Sequence, residues 1–334
     1  MSEAVVGSES RFRSLGVLER LRDFHLPAVP HMQIFIARVY LGIDYRLPHR
    51  PTTVSIEGLE HLEGDEPLML AMNHTDRFNY APFMRELDQM GLCPLAPWVK
   101  GKYYQNPWLS RLLNSCACMP IPSRGFLLTL DWLARMGRAP DKSEYRQLRL
   151  LGDGEWEGQE LTSEVEGYLT SAPGGGPEGF FPAFQQHFEG LSGEVVRINR
   201  EAMEGGYRPL VFPQGTRSRR LTRGFSGVVQ MALHTGVRIV PVGVSGSDNI
   251  YPGNRPFSLG GHVHYTVGEP FDPGAESDAP KNFIPLTIRA SREHGERFEA
   301  ITAKLMQRIN DLLPPQYRFA ESGDEDEAGA ERFV

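Results

Sequence analysis

Residues 67–90 read Pro67-Leu-Met-Leu-Ala-Met72, then Asn73-His-Thr-Asp-Arg-Phe-Asn-Tyr80, then Ala81-Pro-Phe-Met-Arg-Glu-Leu-Asp-Gln-Met90. The first run has the length and apolarity of a buried strand. The last has helical spacing, with Pro82 close to a first-turn position that tolerates a missing N–H. His74 then falls in the loop between a strand end and a helix start, where ligands collect in open α/β sheets. Working outward, residues 52–57, 94–99, 116–121 and 207–212 also read as strands, and 237–244 and 261–268 close the sheet. Pro94 and Pro97 push the 94–99 strand towards an edge. Short strands alternating with helices predict one α/β domain with a central mixed sheet flanked by helices.

Four guanidinium groups, Arg217, Arg219, Arg220 and Arg223, follow directly on Pro213-Gln-Gly-Thr216. A glycine lets backbone approach a ligand closely, and arginine grips phosphate as a two-pronged donor. That combination reads as a phosphate site. Asp76 lies two residues from His74 and offers a nearby carboxylate.

Taken together, Asn73-His74, Lys100…Pro107…Arg124, Phe212-Pro-Gln-Gly-Thr-Arg-Ser218 and Val240-Pro-Val242 stand in order along the chain. They resemble the four blocks of the glycerolipid acyltransferases, lysophosphatidic acid acyltransferase type, over about residues 52–318. Two positions depart: Asn79 stands where that family has aspartate, and Gln214 where it has glutamate. The resemblance implies acyl transfer from a thioester, on coenzyme A or acyl carrier protein, to the hydroxyl of a lysophospholipid such as 1-acylglycerol-3-phosphate. It makes His74 the general base and Asn79 its orienting partner; Asp76, two residues from His74, is the nearby substitute for the missing carboxylate. The acceptor phosphate would rest on Arg217 and Arg124, with Lys100, Gln214, Gly215, Thr216 and Ser218 around it. The thioester is a co-substrate, so neither cofactor nor metal is required. With both acids replaced by amides, the alternative is a pseudoenzyme that binds phospholipid or acyl thioester without turnover. A serine hydrolase is disfavoured, since Gly243-Val-Ser-Gly-Ser247 fails the last position of Gly-x-Ser-x-Gly.

The chain of 334 residues is 40% hydrophobic and carries a formal net charge of −7, which argues against nucleic acid held by bulk charge. Cys93, Cys116 and Cys118 fit neither a disulfide framework nor metal-ligand spacing. His262 and His264 share a strand face without a third ligand, so metal is rejected. No apolar run is long enough to span a bilayer, and no signal-peptide layout opens the chain. The expectation is a cytoplasmic protein held peripherally on the membrane. Residues 1–50 would form a helical pair, 11–24 and 32–45, the second apolar on most of its circumference and suited to a lipid interface. Residues 131–200, rich in acids, read as an insertion, either a lid over the acyl chain or a solvated elaboration. Within it 171–177 is a flexible loop, Phe180, Phe181, Phe184 and Phe188 share a helix face, and a separate helix runs from 193 to 205. Ile301, Leu305, Ile309 and Leu312 form a last helical seam. Residues 1–10 and the acidic tail 320–334 read as disordered.

Overall fold

In the computed structural model, which describes residues 11–320 apart from 65, 254 and 277, the first apolar run is strand β2, Leu68–Met72. All five of its side chains are buried. Alternation along the strand sends Leu68, Leu70 and Met72 into one core and Met69 and Ala71 into the other. β2 therefore sits at the centre of a sheet covered on both faces. The other strands are β1 (Thr52–Glu57), β3 (Leu95–Lys100), β4 (Met119–Ile121), β5 (Arg208–Val211), β6 (Arg238–Ser245) and β7 (Gly261–Val267). Their order is β1-β7-β6-β2-β5-β3-β4, parallel throughout except for the β6–β7 pair. The protein is thus α/β with a single mixed seven-stranded sheet flanked by helices.

Two strand positions differ from expectation. β3 is internal, between β5 and β4, despite its prolines. Leu95–Pro97 pairs with β5, and Trp98–Lys100 pairs with β4, so Pro97 falls where the ladder changes sides. β7 does not close the sheet either: β1 pairs beyond it and forms the edge.

Under one face lie helix α1 (Leu15–Arg22), α5 (Arg124–Met136), α6 (Lys142–Asp153), α7 (Ser163–Ser171), α8 (Pro177–Glu204), α9 (Gly227–Thr235) and α11 (Ile288–Asp311). On the other lie α2, a helix over 31–44 whose middle turn Ile36–Tyr40 is wound as π-helix, and α3 (Ala81–Gln89). A short helix α4 (Pro107–Ser115) joins β3 to β4, and α10 (Ser247–Ile250) follows β6. Both N-terminal helices are present, and they go to different layers. Leu21 and Phe24 join the core with α8, while Ala37 and Leu41 join the core with α3.

The segment 131–200 packs into the fold and is not a solvated elaboration. Trp132, Leu148, Tyr168, Phe180, Phe184 and Leu191 are all almost completely buried in the larger core. Each such side chain is worth roughly 1.5–3 kcal/mol relative to exposure, so this layer is integral to the fold. The aromatic face at 180–188 and the helix expected after 193 are one helix, α8, of 28 residues. The loop expected to be flexible is the tight bend into it, where Gly174 and Gly175 take positive φ. The readings for 1–10 and 321–334 lie outside the described residues.

Candidate active site

The parallel strands place the candidate residues along one edge of the sheet, at the carboxyl ends of β2, β5, β3 and β4. His74 follows β2, and the Gln214–Ser218 turn follows its neighbour β5. Lys100 ends β3, two strands from β2, and Arg124 follows β4, three strands away. At about 4.8 Å per strand, Arg124 starts roughly 14 Å from the His74 position.

The His74 backbone is held on both sides by that neighbouring turn. Its N–H donates to Gln214 Oε1 at 2.9 Å, and its carbonyl accepts from the Ser218 N–H at 2.8 Å. Gln214 is buried, and its amide nitrogen in turn donates to Thr222 Oγ1 at 3.2 Å. Gln214 is therefore a tie between two loops and presents no group to a ligand through these bonds. Gly215 makes the turn possible. Its φ is +67°, its N–H donates to the Phe212 carbonyl, and a Cβ there would press on the Phe225 ring at 3.0 Å. Thr216 and Arg217 continue the turn, both half-buried.

Before His74, Asn73 locks the loop to β6. Its amide donates to the Val244 carbonyl at 3.0 Å and accepts from the Val244 N–H at 2.7 Å. After it, Asn79, fully buried, presents Oδ1 to His74 Nδ1 at 3.3 Å. The Asn79 amide cannot turn round without loss, because its Nδ2 donates to the Asn73 carbonyl at 2.7 Å. An acceptor facing Nδ1 selects the tautomer that carries its proton there, leaving the lone pair on Nε2. The imidazole face stacks on Phe212, with ring centroids 4.1 Å apart. Tyr265 completes the support by donating to the Asn79 carbonyl at 2.6 Å.

The surroundings keep this ring neutral. Burial lowers the His74 pKa from 6.5 to about 4; the Asn79 contact opposes this, and the positive charges of Arg217 and Lys100 add to the lowering. Lys100 is itself pulled down, by burial and then by Lys102 and Arg217. His74, Lys100 and Arg217 thus share one electrostatic neighbourhood, in which a neutral base faces two cations. The arrangement can accept a proton at Nε2 and hold an anion beside it.

Two expected members are used differently. Asp76 receives Thr75 Oγ1 at 2.9 Å and the Phe78 N–H at 2.8 Å, and burial raises its pKa. Those bonds brace the loop that leads into α3. Arg124 starts α5 and donates to Asp153 Oδ1 at 2.6 Å, while Arg149 holds the other oxygen of that carboxylate. Burial lowers the Arg124 pKa. Sequence reasoning singled out neither the bidentate grip of Asn73 nor the stacking of Phe212. Both belong to the quoted motifs, but their partners Val244 and His74 lie 171 and 138 positions away (244 − 73; 212 − 74).

His262 and His264 are engaged in a ladder across β1 and β7, through Thr53, Ser55 and Thr266. A cavity of about 210 Å³ lies under α2 and α3 beside Pro94 and Leu95, at the end of β3 remote from Lys100. None of the candidate residues lines it.

No family model matches the chain, and no curated protein matches it. Among solved structures it is similar to the 1-acyl-sn-glycerophosphate (LPA) acyltransferase PlsC from Thermotoga maritima. Identity is 15%, with 95% of this chain and 94% of that chain covered, at a TM-score of 0.44. That likeness carries no argument about activity.

Proposed function

We propose that this protein is an O-acyltransferase that moves a fatty acyl group from a thioester to the hydroxyl of a lysophospholipid carrying a phosphate. The observation that carries the reading is a neutral imidazole fixed in one tautomer, its Nε2 free of the Asn79 bond, with Arg217 and Lys100 close enough to lower its proton affinity. The acceptor phosphate binds Arg217 and Lys100, which sets the hydroxyl against Nε2. His74 takes the hydroxyl proton as the oxygen attacks the thioester carbonyl, then returns it to the departing thiolate. The acceptor is the nucleophile, so no enzyme serine is acylated. Arg124 is left out of the assignment because Asp153 holds it. The donor, acyl-coenzyme A or acyl carrier protein, is a second substrate and not a resident cofactor.

The acceptor comes from a membrane. No helix among the described residues is long and apolar enough to cross one. α2, however, presents Phe35, Val39 and Ile43, spaced four residues apart and all exposed, as an apolar stripe. We assign that stripe to peripheral contact with the bilayer.

One observation favours a second reading, a lipid-binding relic. With amides at 79 and 214, no carboxylate holds His74 through these bonds to stabilise the imidazolium, and its pKa of about 4 makes it a weak base. The two readings separate in one assay. Transfer of labelled acyl group from a thioester to lysophosphatidic acid should exceed a heat-inactivated control and fall by at least about 10²-fold in His74→Ala. Activity that the substitution leaves unchanged rules out the assigned mechanism.

A further inference from the structure

Helix α4 is the least anchored of the site-proximal elements. None of its residues is fully buried, although Trp108, Leu109, Leu112 and Leu113 are apolar. Trp108 is 79% exposed, whereas Trp98, Trp132 and Trp156 are all at least partly covered. Leu112 and, in the turn just before the helix, Tyr103 are also exposed. The two exposed aromatics each carry a cation: Arg111 lies over the Trp108 ring at 5.7 Å, and Lys102 over Tyr103 at 5.8 Å. The local charge departs sharply from that of the chain. Residues 89–130 hold four cations and no acid, in a protein of formal net charge −7.

We propose that the face formed by Tyr103, Trp108 and Leu112, with Lys102 and Arg111, docks on an anionic lipid surface. Exposed aromatic rings with cations beside them match the boundary of a bilayer, where rings sit at headgroup depth and lysine or arginine meets lipid phosphate. The charge is complementary to an anionic leaflet. Position gives the contact its purpose. Lys100 ends β3 beside the candidate base, and the chain passes through Gly101–Gln105 straight into α4, so the docked face adjoins the mouth of the site. The first turns of α2, His31–Phe35, pack beside α4. The two surfaces give the molecule two contacts and hence a defined tilt, which a single amphipathic helix does not impose. The proposal deepens the acyltransferase reading by giving the acceptor a direction of entry, yet docking itself needs no turnover.

The full-length protein is sedimented with phosphatidylcholine vesicles, with and without phosphatidylglycerol. Wild type should prefer the anionic vesicles. Trp108→Ala combined with Leu112→Ser should lower the partition constant by about tenfold. Lys102→Glu with Arg111→Glu should remove the preference for phosphatidylglycerol, each cation being worth about fivefold near such a surface. Vesicles with brominated acyl chains should quench tryptophan fluorescence in wild type and much less in Trp108→Phe. Near-ultraviolet circular dichroism checks that the exposed-site variants remain folded. Unchanged partition in the Trp108/Leu112 variant, or equal quenching with and without Trp108, overturns the proposal. So does a dimer that Trp108→Ala converts to monomer while vesicle binding persists, because the occupant is then a second copy of the chain. His74→Ala should keep full vesicle binding, which separates failure of this inference from failure of the catalytic one.

Discussion

Two parts of the molecule solve the problem of holding a functional edge in opposite ways. The His74 loop is tied by three amide side chains, Asn73, Asn79 and Gln214, all buried and all bonded across loops or strands. Arg124, three strands along the same sheet edge, is tied by charge: Asp153 binds both Arg124 and Arg149, the latter in an i, i+4 pair. Amides supply direction without adding charge next to a neutral imidazole. Ion pairs supply anchorage but spend a guanidinium that the sequence resemblance would give to substrate. The lesson is that an arginine in the right place can already be neutralised, and that an imidazole can be oriented by neutral groups alone.

The largest effect expected from breaking the first arrangement is loss of the base itself. His74→Ala should cut acyl transfer by roughly 10²–10⁴-fold with circular dichroism unchanged, the usual range for a positioned proton acceptor. Next comes its tie. Gln214→Ala leaves the His74 N–H unpaired, at about 1–3 kcal/mol of stability by urea unfolding. The freed loop should lower kcat by up to about 10²-fold, since a misplacement of about 1 Å is enough for that. Gln214→Glu keeps the acceptor and should retain most of the stability. Equal stability in Gln214→Ala and wild type would show that the tie does not hold in solution.

A smaller and more diagnostic change is Asn79→Asp. Under the proposed mechanism His74 acts as a neutral base in wild type, so kcat/KM should be flat through neutral pH and fall only as pH drops to about 4. A carboxylate at 79 favours the imidazolium and moves that acid limb to higher pH. A limb that stays in place would mean that residue 79 does not face the ring. Stability follows the same sign. The His74 pKa is lowered by folding, so between pH 6.5 and about 4 the unfolded chain binds the proton first. This contribution is complete above pH 6.5 and is lost as pH falls towards 4, which denaturation at pH 5 and 7.5 can compare in wild type and His74→Ala. The smallest effect on activity belongs to the other arrangement. Arg124→Gln leaves Asp153 with Arg149, so it should cost about 1 kcal/mol or less and alter KM by less than about twofold. A tenfold rise in KM would return Arg124 to the phosphate site.

The sheet was legible because strands buried on both faces read as short uninterrupted apolar runs, as at 68–72. The helical layer over residues 131–200 was not. Its longest helix contains Pro182, Gly190 and Gly193, which break the pattern into two shorter segments, and twelve acids in the stretch gave it the look of a solvated surface. In the site, His74 stood out by its place between a strand end and a helix start, Arg217 by the arginine cluster after Thr216, and Gln214 only through the family resemblance. What those residues do is set by partners from distant segments. Gln214 was grouped with substrate-binding residues, and the bond it makes to a backbone N–H 140 positions earlier (214 − 74) was not foreseen. Asp76, close in sequence to His74, spends its bonds on Thr75 and Phe78, a turn that sequence proximity alone does not reveal.

The order of strands also dictates when the site comes into being. β2 and the His74 loop are synthesised early, yet β2's neighbours in the sheet are β5 and β6, which begin at Arg208 and Arg238. At a synthesis rate of roughly 5–20 residues per second, β2 waits about 10–30 s for both partners. During that interval Leu68–Met72 is an apolar segment without its two ladder partners, so a wrong pairing there would carry the His74 loop with it.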